Sequence, residues 1–217
     1  SPGSPGVTPL FVAIQFGEAA AAGRLLDHGA SVEAAGSRGW SALHGAAQAG
    51  SIEIAAALLA RGSVLDRPGP GNMTPLNVAA AAGRRDMIGF LIEGGGALDA
   101  RDENGITPLA HALRGEHTHI ARRLLGYGAD PDLAGDDGWA PLHIATSLGS
   151  ETSVLDLLGR DADPNALTQD GWSPLLLAAR SDLAEAAAEL VARGADPAVP
   201  GPDRKSTRLN SSHVKRP

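Results

Sequence analysis

Histidine and aspartate side chains between positions 111 and 132 are the residues of this sequence best suited to chemistry. His111, His117 and His119 are followed by Asp130 and Asp132. Imidazole and carboxylate groups can ligate a metal or transfer protons. His117 and His119 lie two residues apart at the start of a predicted helix, so their side chains point to different sides. The spacing favours a surface coincidence, and we predict no metal ligands.

Motifs of the common catalytic and nucleotide-binding sites are missing from the sequence. It contains no glycine-rich phosphate loop followed by lysine, no Gly-x-Ser-x-Gly and no His-Glu-x-x-His. It also lacks cysteine, which excludes disulfides, thiolate nucleophiles and cysteine-based zinc sites. The spacing of the seven histidines selects no catalytic pair. We predict no catalytic residue, no cofactor and no small-molecule substrate.

Two pairs of arginines offer a different kind of site. Arg84 and Arg85 occur in one helical segment, and Arg122 and Arg123 occur in the corresponding segment further along the chain. They could line a site for an anion, or they could be ordinary charged residues of solvated helix faces. The second interpretation is favoured, because exposed helix faces commonly carry charge.

The elements that must position these residues recur every 33 residues. Each copy begins at a residue that is followed two positions later by leucine and five positions later by alanine. These first residues are Thr8, Ser41, Thr74, Thr107, Ala140 and Ser173. A threonine or serine here can cap a helix, and the proline that often follows suits the first helical position. A fixed period of this length predicts a solenoid of stacked units.

The repeated segment resembles the ankyrin repeat, whose signature is Thr-Pro-Leu-His-x-Ala on a 33-residue period. Thr-Pro-Leu is complete at Thr8, Thr74 and Thr107, whereas the signature histidine occurs only as His44 and His143. The resemblance implies an all-α solenoid of stacked helix-turn-helix units with short β-turn or hairpin connections. The array is predicted over residues 1–202, with repeats at about 3–35, 36–67, 68–100, 101–133, 134–166 and 167–199.

Glycines predict where the helices of each copy end, because a chain that enters a left-handed conformation favours glycine. The exceptions are Glu116 and Asp182 after a first helix and Asp161 after a second helix. Asp182 with Glu185 three residues later predicts a capping box at the start of the last helix.

An apolar column marks the candidate partner-binding surface, at the residue before each copy's first position. It contains Val7, Trp40, Met73, Ile106, Trp139 and Trp172. The resemblance implies that this column and the ends of the first helices, including Phe16 and Leu148, form part of a variable recognition surface. Tryptophan is common in binding hot spots, so the column is either a contact surface or a seal between neighbouring turns.

Acidic residues surround this column, at Asp102, Glu103, Asp136, Asp137 and Asp170. They predict a protein partner that offers a basic or partly apolar extended segment. The formal charge of the chain is -7, and residues 1–202 alone carry -11 because the last fifteen residues carry +4. Such a field disfavours nucleic acid. No apolar run approaches the ~20 residues of a membrane span, and no signal peptide is seen. We therefore expect a cytoplasmic protein that binds neither nucleic acid nor membrane.

The last residues differ in kind from the repeats. Residues 203–213 resemble a translated adapter from DNA-sequencing libraries, and we expect residues 203–217 to be a non-native, disordered tail. A nucleic-acid-binding function would depend on this tail. The apolar faces of the first and last copies predict that the natural protein carries further repeats. The predicted function is a non-catalytic protein-protein interaction scaffold. The alternative is a targeting or regulatory segment of a larger enzyme, such as a ubiquitin ligase, a kinase or a phosphatase regulator.

Overall fold

The computed structural model describes residues 8–33, 36 and 39–202 of the chain. Within these residues it contains twelve α-helices and no β-strand, as the predicted fold class requires. The chain divides into two compact units, Ser1–Glu103 and Asn104–Pro217. We call them unit 1, which contains helices α1 to α6, and unit 2, which contains α7 to α12. The expectations for Val7 and for residues 203–217 lie outside the described residues.

The helices form six pairs, and each pair consists of a first and a second helix. The first helices are α1 Pro9–Gln15, α3 Ala42–Ala49, α5 Pro75–Ala81, α7 Pro108–Arg114, α9 Pro141–Ser147 and α11 Pro174–Arg180. The second helices are α2 Ala19–Asp27, α4 Ile52–Ala60, α6 Arg85–Glu93, α8 Thr118–Gly126, α10 Glu151–Leu158 and α12 Ala184–Ala192. A short 3-10 turn, Pro70–Asn72, precedes α5.

The first helices begin where the capping residues predict. The hydroxyl oxygen of Thr107 accepts a hydrogen bond from the backbone N–H of Ala110 at 3.3 Å, which satisfies one of the free donors at the start of α7. Thr74 and Ser173 do the same for α5 and α11, at 3.3 and 3.2 Å. Proline at the first helical position costs no hydrogen bond there.

Left-handed residues end the helices, and three of them are not glycine. Glu116 and Asp182 have φ angles of 57° and 56° after α7 and α11, and Asp161 has a φ angle of 61° after α10. These are the three positions where the sequence lacks the expected glycine. The predicted capping box of Asp182 and Glu185 is wrong, because Leu183 is the N-cap residue of α12 and no side chain caps that helix. Asp182 takes the place of the glycine before the helix and is therefore too early to cap it.

Neighbouring helix pairs bury each other's apolar side chains within each unit. In unit 1, α3 packs between α1 and α5, and α4 packs between α2 and α6. In unit 2, α9 packs between α7 and α11, and α10 packs between α8 and α12. The alanine five positions into each copy is buried throughout, and Ala46, Ala79, Ala112, Ala145 and Ala178 are all 0% exposed. Alanine and leucine therefore form most of the described core of a chain with few aromatic residues.

Polar side chains in the loops after the second helices add a second link between neighbouring copies. The carboxylate of Asp66 accepts from the backbone N–H of Ala97 at 3.1 Å, and Asn165 accepts from Asp196 at 2.9 Å. Asp132 accepts from Asp163 at 2.8 Å, although partial burial raises the pKa of its carboxyl group. An amide at position 165 makes the same bond as a carboxylate at position 132, so the link needs an acceptor and no charge.

We predict that Ala46→Leu in α3 lowers the free energy of unfolding by about 1–3 kcal/mol, because added methyl groups overfill a close-packed site. Ala56→Leu is the matched control, since Ala56 lies exposed on α4. The control is expected to change stability by less than about 0.5 kcal/mol. Urea unfolding followed by circular dichroism measures both. Equal effects of the two substitutions contradict the packing role of the alanine column.

Candidate functional site

The turns that carry the apolar column have a fixed backbone. The carbonyl of Met73 accepts from the N–H of Gly69 at 2.8 Å, and that of Trp172 accepts from Thr168 at 3.0 Å. Successive turns are also bonded to each other within each unit. Glu103 N–H donates to the carbonyl of Gly71 at 2.8 Å, and the corresponding bond in unit 2 runs from Asp136 to Asn104 at 2.8 Å. The column is thus presented on ordered backbone.

Three side chains in first helices join their own helix pair to the turn of the next copy. His44 Nε2 lies 2.9 Å from the carbonyl of Met73, and His143 Nε2 lies 3.0 Å from the carbonyl of Trp172. Asn77 occupies the same position in α5, and its Nδ2 donates to the carbonyl of Ala100 at 3.1 Å. The corresponding carbonyl beside His143 is that of Ala166, 3.0 Å from its Nε2. The signature histidine occurs only as His44 and His143, so the corresponding contact of Asn77 is a finding of the structure.

The partners of the two histidines fix their protonation. In His44, Nδ1 lies 3.3 Å from the backbone nitrogen of Ser41, and Nε2 faces a carbonyl. A backbone N–H can only donate and a carbonyl can only accept, so the ring is neutral with its hydrogen on Nε2. His143 has the same arrangement, with Nδ1 3.2 Å from Ala140 N. Burial lowers the pKa of both rings, and the bonds to carbonyl oxygens oppose this shift in part.

Three of the predicted contact residues lie beneath the surface. Trp139 is 7% exposed, and its ring centroid lies 6.1 Å from that of His143. Ile106 is also 7% exposed, and Asp102 is 9% exposed. Side chains so deeply buried offer little area to a partner, so their burial favours the sealing role for these positions.

Other members of the column remain accessible. Trp40, Met73 and Trp172 are half-buried. The ring of Trp40 packs edge-on against His44, with centroids 5.1 Å apart. The guanidinium group of Arg180 lies over the ring of Trp172, 4.8 Å from its centroid. One sequence column therefore has two environments, and only part of it can make direct contact with another molecule.

The two residues predicted at first-helix ends also differ in exposure. Phe16 follows α1 and is 73% exposed, which makes it the most exposed of the large apolar side chains described. Leu148 follows α9 and is half-buried, where it lines a small cavity of about 90 Å³ with Leu113 and polar side chains that include Glu116 and Ser153.

The acidic residues around the column are partly engaged within the chain. Glu103, Asp136 and Asp170 are exposed. Asp137 is half-buried, accepts from the backbone N–H of Trp139 at 3.0 Å and pairs with Arg114 at 3.6 Å. Asp137 therefore orients the turn, while Asp136 and Asp170 are exposed on the turns beside the column.

The two arginine pairs differ in the partners that they contact. Arg122 forms an ion pair with Asp156 at 2.9 Å, and Arg123 donates to the hydroxyl group of Tyr127 at 3.2 Å. Arg122 is thus an ordinary helix-face residue paired with the neighbouring helix α10, whereas the buried Nε of Arg123 has no hydrogen-bond partner among the described residues. Arg84 Nε donates to the carbonyl of Gln48 at 2.7 Å, and Arg85 is exposed at the start of α6.

A groove of about 890 Å³ lies in unit 1 along the first helices α1, α3 and α5. Its apolar lining includes Phe11, Trp40, Met73 and Val78, and Arg84 also lines it. We call this the unit 1 groove. Among the described residues, no three His, Cys, Asp or Glu side chains converge where they could hold a metal ion. None of the described helices is both long and apolar enough to cross a membrane.

Comparison with known proteins agrees with this geometry. The family model described as ankyrin repeats in three copies matches residues 2–69 and 76–168, and the single ankyrin repeat model matches residues 170–201. The chain belongs to the ankyrin repeat family. Ankyrin repeat domains generally mediate interactions between proteins and are typically not catalytic. The comparison with curated proteins gave no match.

Two solved ankyrin structures resemble the chain over most of its length. An ankyrin repeat domain from Acinetobacter baumannii is 25% identical with a TM-score of 0.78, and the match covers 87% of this chain and 98% of that one. The ankyrin repeat domain of Bcl-3, described as a unique member of the IkappaB protein family, is 26% identical with a TM-score of 0.80. That match covers 90% of each chain.

The buried histidines of the ankyrin signature predict a pH-dependent stability. Their pKa values in the folded chain are below the ordinary value near 6.5. The contribution of these two rings to the free energy of unfolding is therefore fully present above that ordinary value, and it is lost as the pH falls through the lower, folded-state pKa. We expect the melting temperature to fall between about pH 7.5 and pH 5.5. In the double variant His44→Asn with His143→Asn the fall is expected to be smaller, because Asn77 makes the equivalent link without titrating.

Differential scanning calorimetry at both pH values makes this comparison. The other histidines are present in both proteins, so their titration cancels. An equal loss of melting temperature in wild type and double variant contradicts the assignment.

Proposed function

We propose that this chain is a non-catalytic protein-recognition module whose partner lies along the turns and first helices. The observation that carries the proposal is the exposed apolar area on ordered backbone. Phe16 is 73% exposed, and Trp40, Met73 and Trp172 are half-buried and keep part of their surface accessible on turns that are bonded to those of neighbouring copies. Aromatic side chains on a rigid support are efficient binding anchors, because little conformational entropy is lost when they are covered.

The candidate contact residues divide into two groups in this proposal. Phe16, Trp40, Met73, Trp172 and the half-buried Leu148 touch the partner. The buried residues Ile106, Trp139 and Asp102 support the turns and act on binding only through them. If the chain is the targeting segment of a larger enzyme, we expect the same face to hold the substrate of that enzyme.

The surface of unit 2 favours a basic, partly apolar segment of the partner. Asp136 and Asp170 are exposed on turns next to the half-buried Trp172. One face of this indole is already covered by the guanidinium group of Arg180, so the attraction for a basic segment comes from the carboxylates. Arginine or lysine side chains of a partner can pair with Asp136 and Asp170, and apolar side chains can cover the accessible part of Trp172.

Binding is tested with a partner obtained by affinity capture on the full chain. We expect Trp40→Ala to weaken the affinity of a partner that binds unit 1, and Trp172→Ala that of a partner that binds unit 2, each about tenfold or more. Leu155→Ala and Ile52→Ala are matched controls, because these apolar side chains are 44% and 36% exposed on second helices. Trp139 is left intact, since its truncation removes buried packing and lowers stability.

Isothermal titration calorimetry measures the affinities, and circular dichroism checks that each variant is folded. The proposal is contradicted if the second-helix control variants lose binding and both tryptophan variants keep it. Recognition would then lie on the second helices.

A further inference from the structure

Arg84 is held in place beside the unit 1 groove before any partner binds. Its aliphatic stem lies across Gly50, where an added Cβ would stand 3.1 Å from Arg84 Cδ. Its Nε donates to the carbonyl of Gln48 at 2.7 Å. No carboxylate among the described residues pairs with this guanidinium group, so it is available to a carboxylate of a partner. A fixed guanidinium fork matches the geometry of a carboxylate.

The rest of the groove lining is uncharged. Phe11, Trp40, Met73 and Val78 supply apolar surface, and Gln15 and Gln48 supply neutral amides. His44 also lines the groove, but its ring is neutral because Nδ1 accepts a hydrogen bond from a backbone amide. Arg84 thus carries the one formal charge among these described lining residues, and that charge is positive.

Apolar area and a single fixed cation define what the groove can hold. A large aliphatic or aromatic side chain can cover Trp40 and Met73, where burial of apolar surface is favourable. A carboxylate of the partner that lies close in sequence to this apolar side chain can reach Arg84 across the first helices. A basic segment would place a like charge against Arg84 with no acidic residue of the lining to offset it.

We propose that the unit 1 groove binds an extended peptide segment in which a large apolar side chain is accompanied by an aspartate or glutamate that pairs with Arg84. This inference rests on the proposed function and names the partner chemistry for one part of the face. It differs from the basic segment proposed for unit 2, so a partner that contacts both units carries acidic and basic segments at separate places.

The probe is a library of random peptides displayed on phage and selected on the full chain. Peptides that bind in the groove are recognised by their weaker binding to the Trp40→Ala variant. These peptides are expected to combine an aromatic or large aliphatic residue with a nearby acidic residue. For such a peptide, Arg84→Gln is expected to weaken affinity about tenfold, which corresponds to the loss of one charge-assisted pair. Arg84→Lys keeps the charge and is expected to recover part of the loss.

Arg85→Gln is the matched control, because Arg85 is the adjacent exposed arginine and does not line the groove. A second test leaves the protein unchanged: replacing the peptide's acid by its amide is expected to weaken binding as much as Arg84→Gln does. The two changes together should be no worse than either alone, since they remove the same pair.

Three outcomes overturn the inference. The first is that groove-binding peptides show no preference for acidic residues. The second is that Arg84→Gln leaves the affinity unchanged, and the third is that the losses in the double change are additive. Each would show that Arg84 does not pair with the ligand. In these cases Trp40→Ala still weakens binding, so the proposed function stands. Peptides whose binding is insensitive to Trp40→Ala and Trp172→Ala contradict the proposed function itself.

Discussion

Burial of apolar side chains between neighbouring helix pairs is the constraint on which the rest of this structure depends. A pair such as α3 and α4 is too small to cover its own apolar residues, so it needs a second pair on each side. The alanine column allows the first helices to approach closely, because its small side chains take up little volume where they are buried. Because this packing uses one side of each first helix, the residue types on the other side are free to vary.

The apolar column shows how one position can serve packing in one copy and contact in another. Trp139 is buried against His143 and its own turn, whereas Trp172 lies half-open under Arg180. The difference comes from neighbouring side chains and not from the residue type. Local charge differs in the same way, because the exposed turns of unit 2 carry Asp136 and Asp170 while the unit 1 groove carries Arg84.

Features that depend on local sequence could be predicted well. Helix starts at Thr74 and Thr107 follow from capping chemistry, and the breaks at Glu116 and Asp161 follow from the period, because each replaces a glycine that must be left-handed. The capping box of Asp182 was wrong because two local signals competed at one residue. Backbone geometry needed a left-handed residue there, and this took precedence over a side-chain cap.

Features that depend on neighbouring copies could not be predicted. Asn77 replaces a signature histidine with a different side chain that reaches an equivalent carbonyl, so no residue-type pattern reveals it. The position of Arg84 depends on a stem crossing Gly50, which lies in the preceding copy. The exposure of Trp40 and Trp172 likewise depends on what the adjacent turn covers.

The links between copies also bear on how the chain folds. The inter-copy bonds of His44, Arg84 and Asp132 join residues 29, 36 and 31 positions apart, which is a short distance along a chain of 217 residues. Closing such short loops costs little chain entropy, and contacts of low sequence separation favour rapid folding. Folding can therefore start at two adjacent helix pairs and extend to the neighbouring pairs one at a time. The gain or loss of one whole copy then leaves this stepwise folding unchanged.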